Sequence, residues 1–388
     1  MLRYWKFFRM FIYHFFNTVI DIFSILINFK DLINICSKID KNTIVFISDK
    51  FVPRNQKIIY GISTLKKYKI ILIFRKNNLF SNIDKEYITD IIYIKSSYKA
   101  LWILKRINPF IIHIFSNWNF DIAYTLIKNK SKIQCKIVFD DYDVFAGMLN
   151  DDFYNKKMPG QLQKEKFCLE NADSLCCRSL ETQYAKKYFG YKYKGKRIFF
   201  PEYMWEANLQ KPKDIDKINV IVYSGNYNNL SYKIANILKD INWELDIYPA
   251  NSINYQNALP ENLNLFKKLS HKELIITLSK YAFAIQMPPE IAEVNGLYTL
   301  NKRKYAMSGK IFDYIEANLK VLISGYELLI FILRRYGFCI LLDEINPVKN
   351  INEKIKDLQF QESRTKNNLE KITIYSNIYR LIKFYQNT

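Results

Sequence analysis

The sequence predicts an α/β protein made of two facing, doubly wound, Rossmann-like domains. Three observations predict it. Short apolar runs rich in β-branched residues recur along the chain and alternate with amphipathic helical stretches, the rhythm of parallel strands covered on both faces. The 388 residues allow two domains of ordinary size. A composition of 49% hydrophobic and 24% charged residues is globular, with apolar material for two cores.

Taken in order, the first series of strands reads as TIVFIS (43–48), KIILIF (69–74), IIYI (91–94), FIIHIF (110–115), CKIVFD (135–140) and SLCCRS (174–179). Helical patterns fall near 57–68, 97–107, 119–130 and 180–188. The segment 190–217 holds Gly190, Gly195, Pro201 and Pro212 among many charges and reads as a connection. The second series of strands is INVIVYSGN (218–226), WELDIYPA (243–250), AFAIQM (282–287), KVLIS (320–324) and FCILL (338–342). Its helices fall near 229–241, 271–281, 310–318 and 326–337, with an irregular polar stretch at 288–307. Four regions follow: an N-terminal helical segment 1–42, domains 43–204 and 205–360, and a helical tail 361–388.

Residues 2–29 are heavily apolar. No small-residue cleavage site follows them, which argues against a signal peptide. Twenty residues separate Arg9 from Lys30, enough to span a bilayer. Asp21 near the middle of that window costs about 2.5–3.5 kcal/mol on insertion. A third reading fits better: Arg3, Lys6 and Arg9 recur among Trp5, Phe7, Phe8, Phe11 and Phe15, the pattern of a basic, aromatic helix lying in the lipid interface. Packing on the protein's own core is the remaining alternative.

The formal net charge is +21. Nucleic acid, an anionic membrane surface or anionic substrates would each explain it. The basic residues are spread along the whole chain and no recognition module is present, so no nucleic-acid partner is expected. Six cysteines without a CxxC pair read as reduced, mostly buried thiols. Three histidines, His14, His113 and His271, are too dispersed to suggest a metal centre.

In open parallel sheets ligands bind beyond the carboxyl ends of the strands, so the loops there hold the candidate residues. Ser224-Gly225-Asn226 follows INVIVY and precedes a helix; a glycine there lets the backbone approach a ligand. Ser308-Gly309-Lys310 opens another helix, where an ammonium stabilises a diphosphate. Asp313 and Glu316 are three apart on that helix and share a face. Asp140-Asp141-Tyr142-Asp143 closes CKIVF; a carboxylate at a strand end suits a base acting on a hydroxyl, and hard oxygen ligands for Mg²⁺ or Mn²⁺ are the second option. Asp141 and Asp143 are the candidate catalytic pair. Arg178, ending SLCC, is a candidate phosphate contact, whereas Lys302–Lys304 read as a solvated loop.

The stretch SGKIFDYIEANLKVLIS (308–324) resembles the donor-binding segment of GT-B glycosyltransferases of the large GT4-like group. NADSLCCRSLETQYAKK (171–187) resembles the strand and helix that close their N-terminal domain, RIFFPEYM their crossover, and DKFVPRNQKIIYGI (49–62) the loop and helix after their first strand. The resemblance implies that Lys310 contacts the donor diphosphate and that Glu316 is the second Glu of an E-x7-E motif, gripping the nucleotide ribose. Ser308 stands where the first Glu would be, a departure from the pattern. It further implies a transfer of sugar from a nucleotide-sugar donor to a lipid-linked or polysaccharide acceptor in bacterial surface-glycan synthesis. No cofactor and no required metal are expected, and the site of action is the cytoplasmic, anionic face of the inner membrane. A catalytically degenerate nucleotide-sugar binding protein and a nucleotide-sugar epimerase are the alternatives.

Overall fold

A computed structural model describes residues 12, 15–16, 18–23, 25–26, 29–49, 52–75, 88–117, 119–146, 159–205, 217–225, 229–249, 259–287, 302–342 and 366–388. The chain forms two compact units, one of residues 1–201 with 378–388 and one of residues 202–377.

In the first unit, seven parallel strands form one sheet: β1 Thr43–Ser48, β2 Lys69–Arg75, β3 Asp90–Ile94, β4 Ile111–Ser116, β5 Ile137–Asp141, β6 Ser174–Cys177 and β7 Lys196–Phe199, in the order β3-β2-β1-β4-β5-β6-β7. Helices α1 Phe29–Ser37, α2 Pro53–Ser63, α3 Ser97–Leu104, α4 Asp121–Lys128, α5 Gln161–Asn171 and α6 Glu181–Phe189 accompany it. Every residue of β1, β4 and β5 is buried, as continuous apolar runs require when both sheet faces are covered. Val45, Ile47, Ile112, Ile114, Ile137 and Phe139 sit at the centre of its core.

The second unit repeats the plan with six parallel strands: β8 Lys217–Ser224, β9 Glu244–Tyr248, β10 Leu263–Leu265, β11 Tyr281–Gln286, β12 Lys320–Ile323 and β13 Cys339–Leu341, in the order β10-β9-β8-β11-β12-β13. Its helices are α7 Asn229–Lys239, α8 His271–Leu278, α9 Lys310–Glu316 and α10 Glu327–Arg335. A capping box fixes the start of α8: Ser270 accepts from the Glu273 backbone N–H, and the Glu273 carboxylate accepts from Ser270. In both units the order reverses beside the first strand, between β1 and β4 and between β8 and β11. Such a reversal opens a crevice at the carboxyl ends. The last helix, α11 Ile374–Gln386, returns the chain to the first unit from residue 378.

The predicted doubly wound pair of domains is therefore present. Two short strands, β7 and β10, fall where no strand was expected. The solvated reading of Lys302–Lys304 does not hold: Lys302 and Arg303 are buried, and only Lys304 reaches solvent, 3.2 Å from Glu327. Burial of the stems in a short helical turn replaces the open loop that the charges alone suggested.

Near the N-terminus the described helical positions between 12 and 26 have an inverted surface. Asp21 is buried, and its carboxylate accepts the backbone N–H groups of Lys95 (3.0 Å) and Ser96 (2.5 Å), at the entry to α3. Ile12, Phe15, Phe16, Ile20, Ile22, Phe23 and Leu26 are all exposed. At 3.6 residues per turn they lie about 100–260° around the helix from Asp21. The basic residues Arg3, Lys6 and Arg9 lie outside the described residues. No helix of the described residues is long and apolar enough to cross a membrane.

Candidate functional site

In the second unit the predicted donor residues gather at the carboxyl end of β8. Lys310, the first residue of α9, sends its ammonium back to this strand: Nζ donates to the Tyr223 hydroxyl at 2.8 Å and lies 4.2 Å from the centre of that ring. Gly225 makes this possible. A Cβ there would overlap the Lys310 Nζ and come within 2.8 Å of the Tyr223 ring. The Gly225 N–H continues the ladder by donating to the Tyr248 carbonyl at 3.0 Å. The Ser224 N–H donates to the Tyr314 hydroxyl at 2.9 Å, and burial pushes that phenol far above its ordinary range. Asn226 lies outside the described residues.

Among the described residues Lys310 has no carboxylate partner. A phenol and a ring face weaken an ammonium's charge only slightly, by about 1 kcal/mol of attraction. Among the described residues, an incoming anion therefore meets a cation that no carboxylate neutralises.

Glu316, at the other end of α9, is buried, and its Oε2 accepts the Trp205 backbone N–H at 3.2 Å. Asp313 lies 4.0 Å from His271 Nδ1, and the His271 ring is 6.0 Å from that of Trp205. Asp313 and Glu316 are thus brought together by the shared Trp205–His271 wall. Ser308 is half-buried just ahead of them. Two further residues join the group without any motif to announce them: Tyr223, and Glu202, whose buried carboxylate packs so closely on Gly309 that a Cβ there would overlap it. The second glycine was visible in the sequence; the carboxylate it accommodates was not.

The first unit separates its predicted acids. Asp140 turns to one face, where Arg54 Nη2 donates to its Oδ2 at 2.8 Å and His113 Nε2 stands 3.5 Å away. Burial would raise Asp140, but the Arg54 charge and the His113 contact hold it below the usual range. His113, fully buried, is lowered by that burial, and its Nδ1 pairs with the Tyr385 hydroxyl at 2.5 Å. Asp141 turns to the opposite face. It is buried there, and Glu165, Asp143 and Glu181 add to burial in pushing its carboxyl well above the usual range. Glu165 is committed to the Phe145 and Ala146 N–H groups and the Tyr191 hydroxyl. Asp143 is more open and takes a 2.5 Å ion pair from Arg178, whose guanidinium also lies 4.0 Å from the Tyr142 ring centre. Arg178, a predicted phosphate contact, is therefore engaged within its own unit. All six cysteines are free thiols, and burial raises each of them.

With this geometry in view, solved structures supply the comparison. A sucrose-phosphate synthase from Thermosynechococcus elongatus superposes with a TM-score of 0.66 at 12% identity, covering 89% of this chain and 98% of the other. The fold is GT-B. An E. coli trehalose-6-phosphate structure bound with UDP-2-fluoro glucose gives 0.54 at 11% identity, covering 89% and 99%. A Neisseria meningitidis UDP-GlcNAc 2-epimerase bound to UDP-GlcNAc gives 0.50 at 9%, also covering 89% and 99%. No protein-family model and no curated protein sequence matches the chain. The GT-B assignment rests on the paired sheets, each with its reversal point beside the first strand, and at such identities it speaks for the fold alone.

Proposed function

We propose that the chain is a glycosyltransferase moving a sugar from a nucleotide-sugar donor to a lipid-linked or polysaccharide acceptor in bacterial surface-glycan synthesis. One observation carries the reading: the Lys310 ammonium, held over Gly225 at the end of β8 by a phenol and, among the described residues, by no carboxylate. Such a cation suits a diphosphate, whose negative charge grows as it departs. The carboxylates of Glu316 and Asp313 and the carboxylate of Glu202 suit the hydroxyls of a ribose and a sugar. Two of the similar structures hold UDP-2-fluoro glucose and UDP-GlcNAc, which supports a nucleotide sugar as donor. On the acceptor side the proposal places Asp143, the more exposed of the two predicted carboxylates, with Arg178 holding it and Asp141 behind it. Lys310 supplies positive charge to the leaving group, so no cofactor and no required metal enter the proposal.

The reading is tested with a thermal-shift screen of UDP-, GDP-, ADP- and CMP-sugars. A specific donor raises the melting temperature by mass action, and Lys310→Ala abolishes that rise. Donor hydrolysis separates the alternatives. A degenerate binding protein shows the shift without turnover, and an epimerase changes the free sugar nucleotide without an acceptor.

The same proposal places the enzyme peripherally on the anionic cytoplasmic face of the inner membrane. Seven exposed apolar side chains opposite a capping Asp21, on a chain of net charge +21, support it. Co-sedimentation with vesicles containing phosphatidylglycerol, lost in Phe15→Ser/Phe23→Ser, is the expected result. Equal sedimentation of the variant would remove this part of the proposal.

A further inference from the structure

β5 ends in a pair of acids on opposite faces of its sheet, and each lies among groups that can ligate a metal. On the Asp140 face, ligand atoms of His113, Asp140 and Cys176 lie within 4.8 Å of one another. The charges there already balance. Arg54 neutralises Asp140 at 2.8 Å, and burial lowers the imidazole and raises the thiol, so both stay uncharged. A metal ion would add positive charge beside that guanidinium, with no water to screen it.

The Asp141 face has the opposite imbalance. Asp141 is 6% exposed, and neither of its carboxylate oxygens has a hydrogen-bond partner among the described residues. A buried carboxylate without a partner is costly. Glu165 of α5 and Glu181 of α6 stand near enough to raise it further. Glu165 accepts from the Ala146 N–H at 3.2 Å and the Tyr191 hydroxyl at 3.1 Å, and Glu181 accepts from the Ser179 hydroxyl at 2.8 Å. None of these donors carries charge. Arg178 is turned to Asp143 and lies against the Tyr142 ring.

Beside Asp141 is a cavity of about 10 Å³, lined also by Cys177, Arg178, Ser179 and Thr182. That is room for about one water or one bare ion. The donors on offer are oxygens: both of Asp141 and the hydroxyls of Ser179 and Thr182. Burial pushes the Cys177 thiol up to about 11, so it supplies no thiolate near neutral pH and a soft metal lacks its preferred ligand. Oxygen donors of this kind suit a hard cation.

We propose that Asp141, with the hydroxyls of Ser179 and Thr182, forms a binding site for a single hard divalent cation of the Ca²⁺, Mg²⁺ and Mn²⁺ class. The site goes beyond the glycosyltransferase reading and does not depend on it. The ion offsets the surplus of acid and ties the end of β5 to the turn between β6 and α6, where Ser179 and Thr182 sit on either side of Glu181. It takes no part in the transfer, whose positive charge comes from Lys310. Without the ion, Asp141 keeps a proton, and binding releases it.

The test titrates the full, chelator-treated chain with Mn²⁺, read by electron paramagnetic resonance, by melting temperature and by calorimetry in buffers of different ionisation enthalpy. Wild type binds about one Mn²⁺ per chain with a Kd at or below about 1 mM, melts at a higher temperature with it, and releases about one proton per ion bound. Ca²⁺ displaces the Mn²⁺. Asp141→Asn removes the binding and the thermal rise without lowering the ion-free melting temperature, because an amide replaces the unpaired acid. Thr182→Val keeps the shape of the cavity and weakens Mn²⁺ by about tenfold; it decides the matter should Asp141→Asn not fold. Lys310→Ala binds Mn²⁺ as wild type does. A wild-type chain that takes up no Mn²⁺ at about 1 mM, uptake equal to wild type in Asp141→Asn or Thr182→Val, or uptake without proton release overturns the proposal. The sugar-nucleotide screen is run in chelator, so failure of the glycosyltransferase reading leaves these outcomes untouched.

Discussion

The two units share a topology but treat charge at their strand ends in opposite ways. In the first, each described cation at the site has a carboxylate: Arg54 with Asp140, Arg178 with Asp143, Arg75 with Asp49 and Lys164 with Asp121. In the second, Lys310 rests on a phenol, with no carboxylate paired to it among the described residues. Internal pairing gives a unit that is closed to anions. A cation with neutral neighbours gives one that is open, ready for an anion from outside. One architecture can thus serve two purposes, with the side chains at the sheet ends deciding which.

Four substitutions break or sharpen this contrast. The largest effect is expected from Arg54→Ala, which strands the buried Asp140. Removing one partner of a buried ion pair costs about 3–5 kcal/mol, readable by urea denaturation. A cost under about 1 kcal/mol would mean that the pair is not closed at all.

Asp49→Asn is expected to work the other way. Its carboxyl stands at about 6 in the fold against 3.8 ordinarily, so ionisation opposes folding. Stability is full below the ordinary value and is lost as pH rises through about 6. Between about pH 3 and pH 8 wild type should lose about 3 kcal/mol relative to the variant, at 1.36 kcal/mol per pKa unit. Parallel stability curves across that range would count against the raised carboxyl.

Lys310→Ala should leave unliganded stability nearly unchanged, because the ammonium has little to lose. It should erase a ligand-induced gain of about 2.7 kcal/mol at a donor concentration of a hundred times Kd. Gly225→Ala is the smallest of the four. Its Cβ would push the ammonium aside, which is flexible, so we expect about tenfold weaker donor binding, or about 1.4 kcal/mol, by calorimetric titration.

Most of the fold was legible because both sheets are buried on both faces. TIVFIS, FIIHIF and KVLIS could hardly sit elsewhere, since nearly every residue in them needs cover. The missed strands were short: LNL (263–265) and KRIF (196–199) carry too few apolar residues for a period to register. On the site, Gly225, Gly309 and Lys310 were legible because glycines beside a cation at strand and helix ends have a physical meaning. Glu202 and Tyr223 were not. A Glu after a proline carries no pattern, and its role depends on residues dozens of positions away. The buried Lys302 and Arg303 escaped for the same reason: charge in an irregular stretch gives no sign of which way it faces.

The contact of Asp21 with the N–H groups of Lys95 and Ser96 acts as a rotational lock on the N-terminal helix. Inserting two alanines just after Asp21 would turn the following residues by about 200°. Phe23 and Leu26 would swing away from the outward side while Phe15 and Phe16 stayed put, so two small added residues would split the greasy stripe in two.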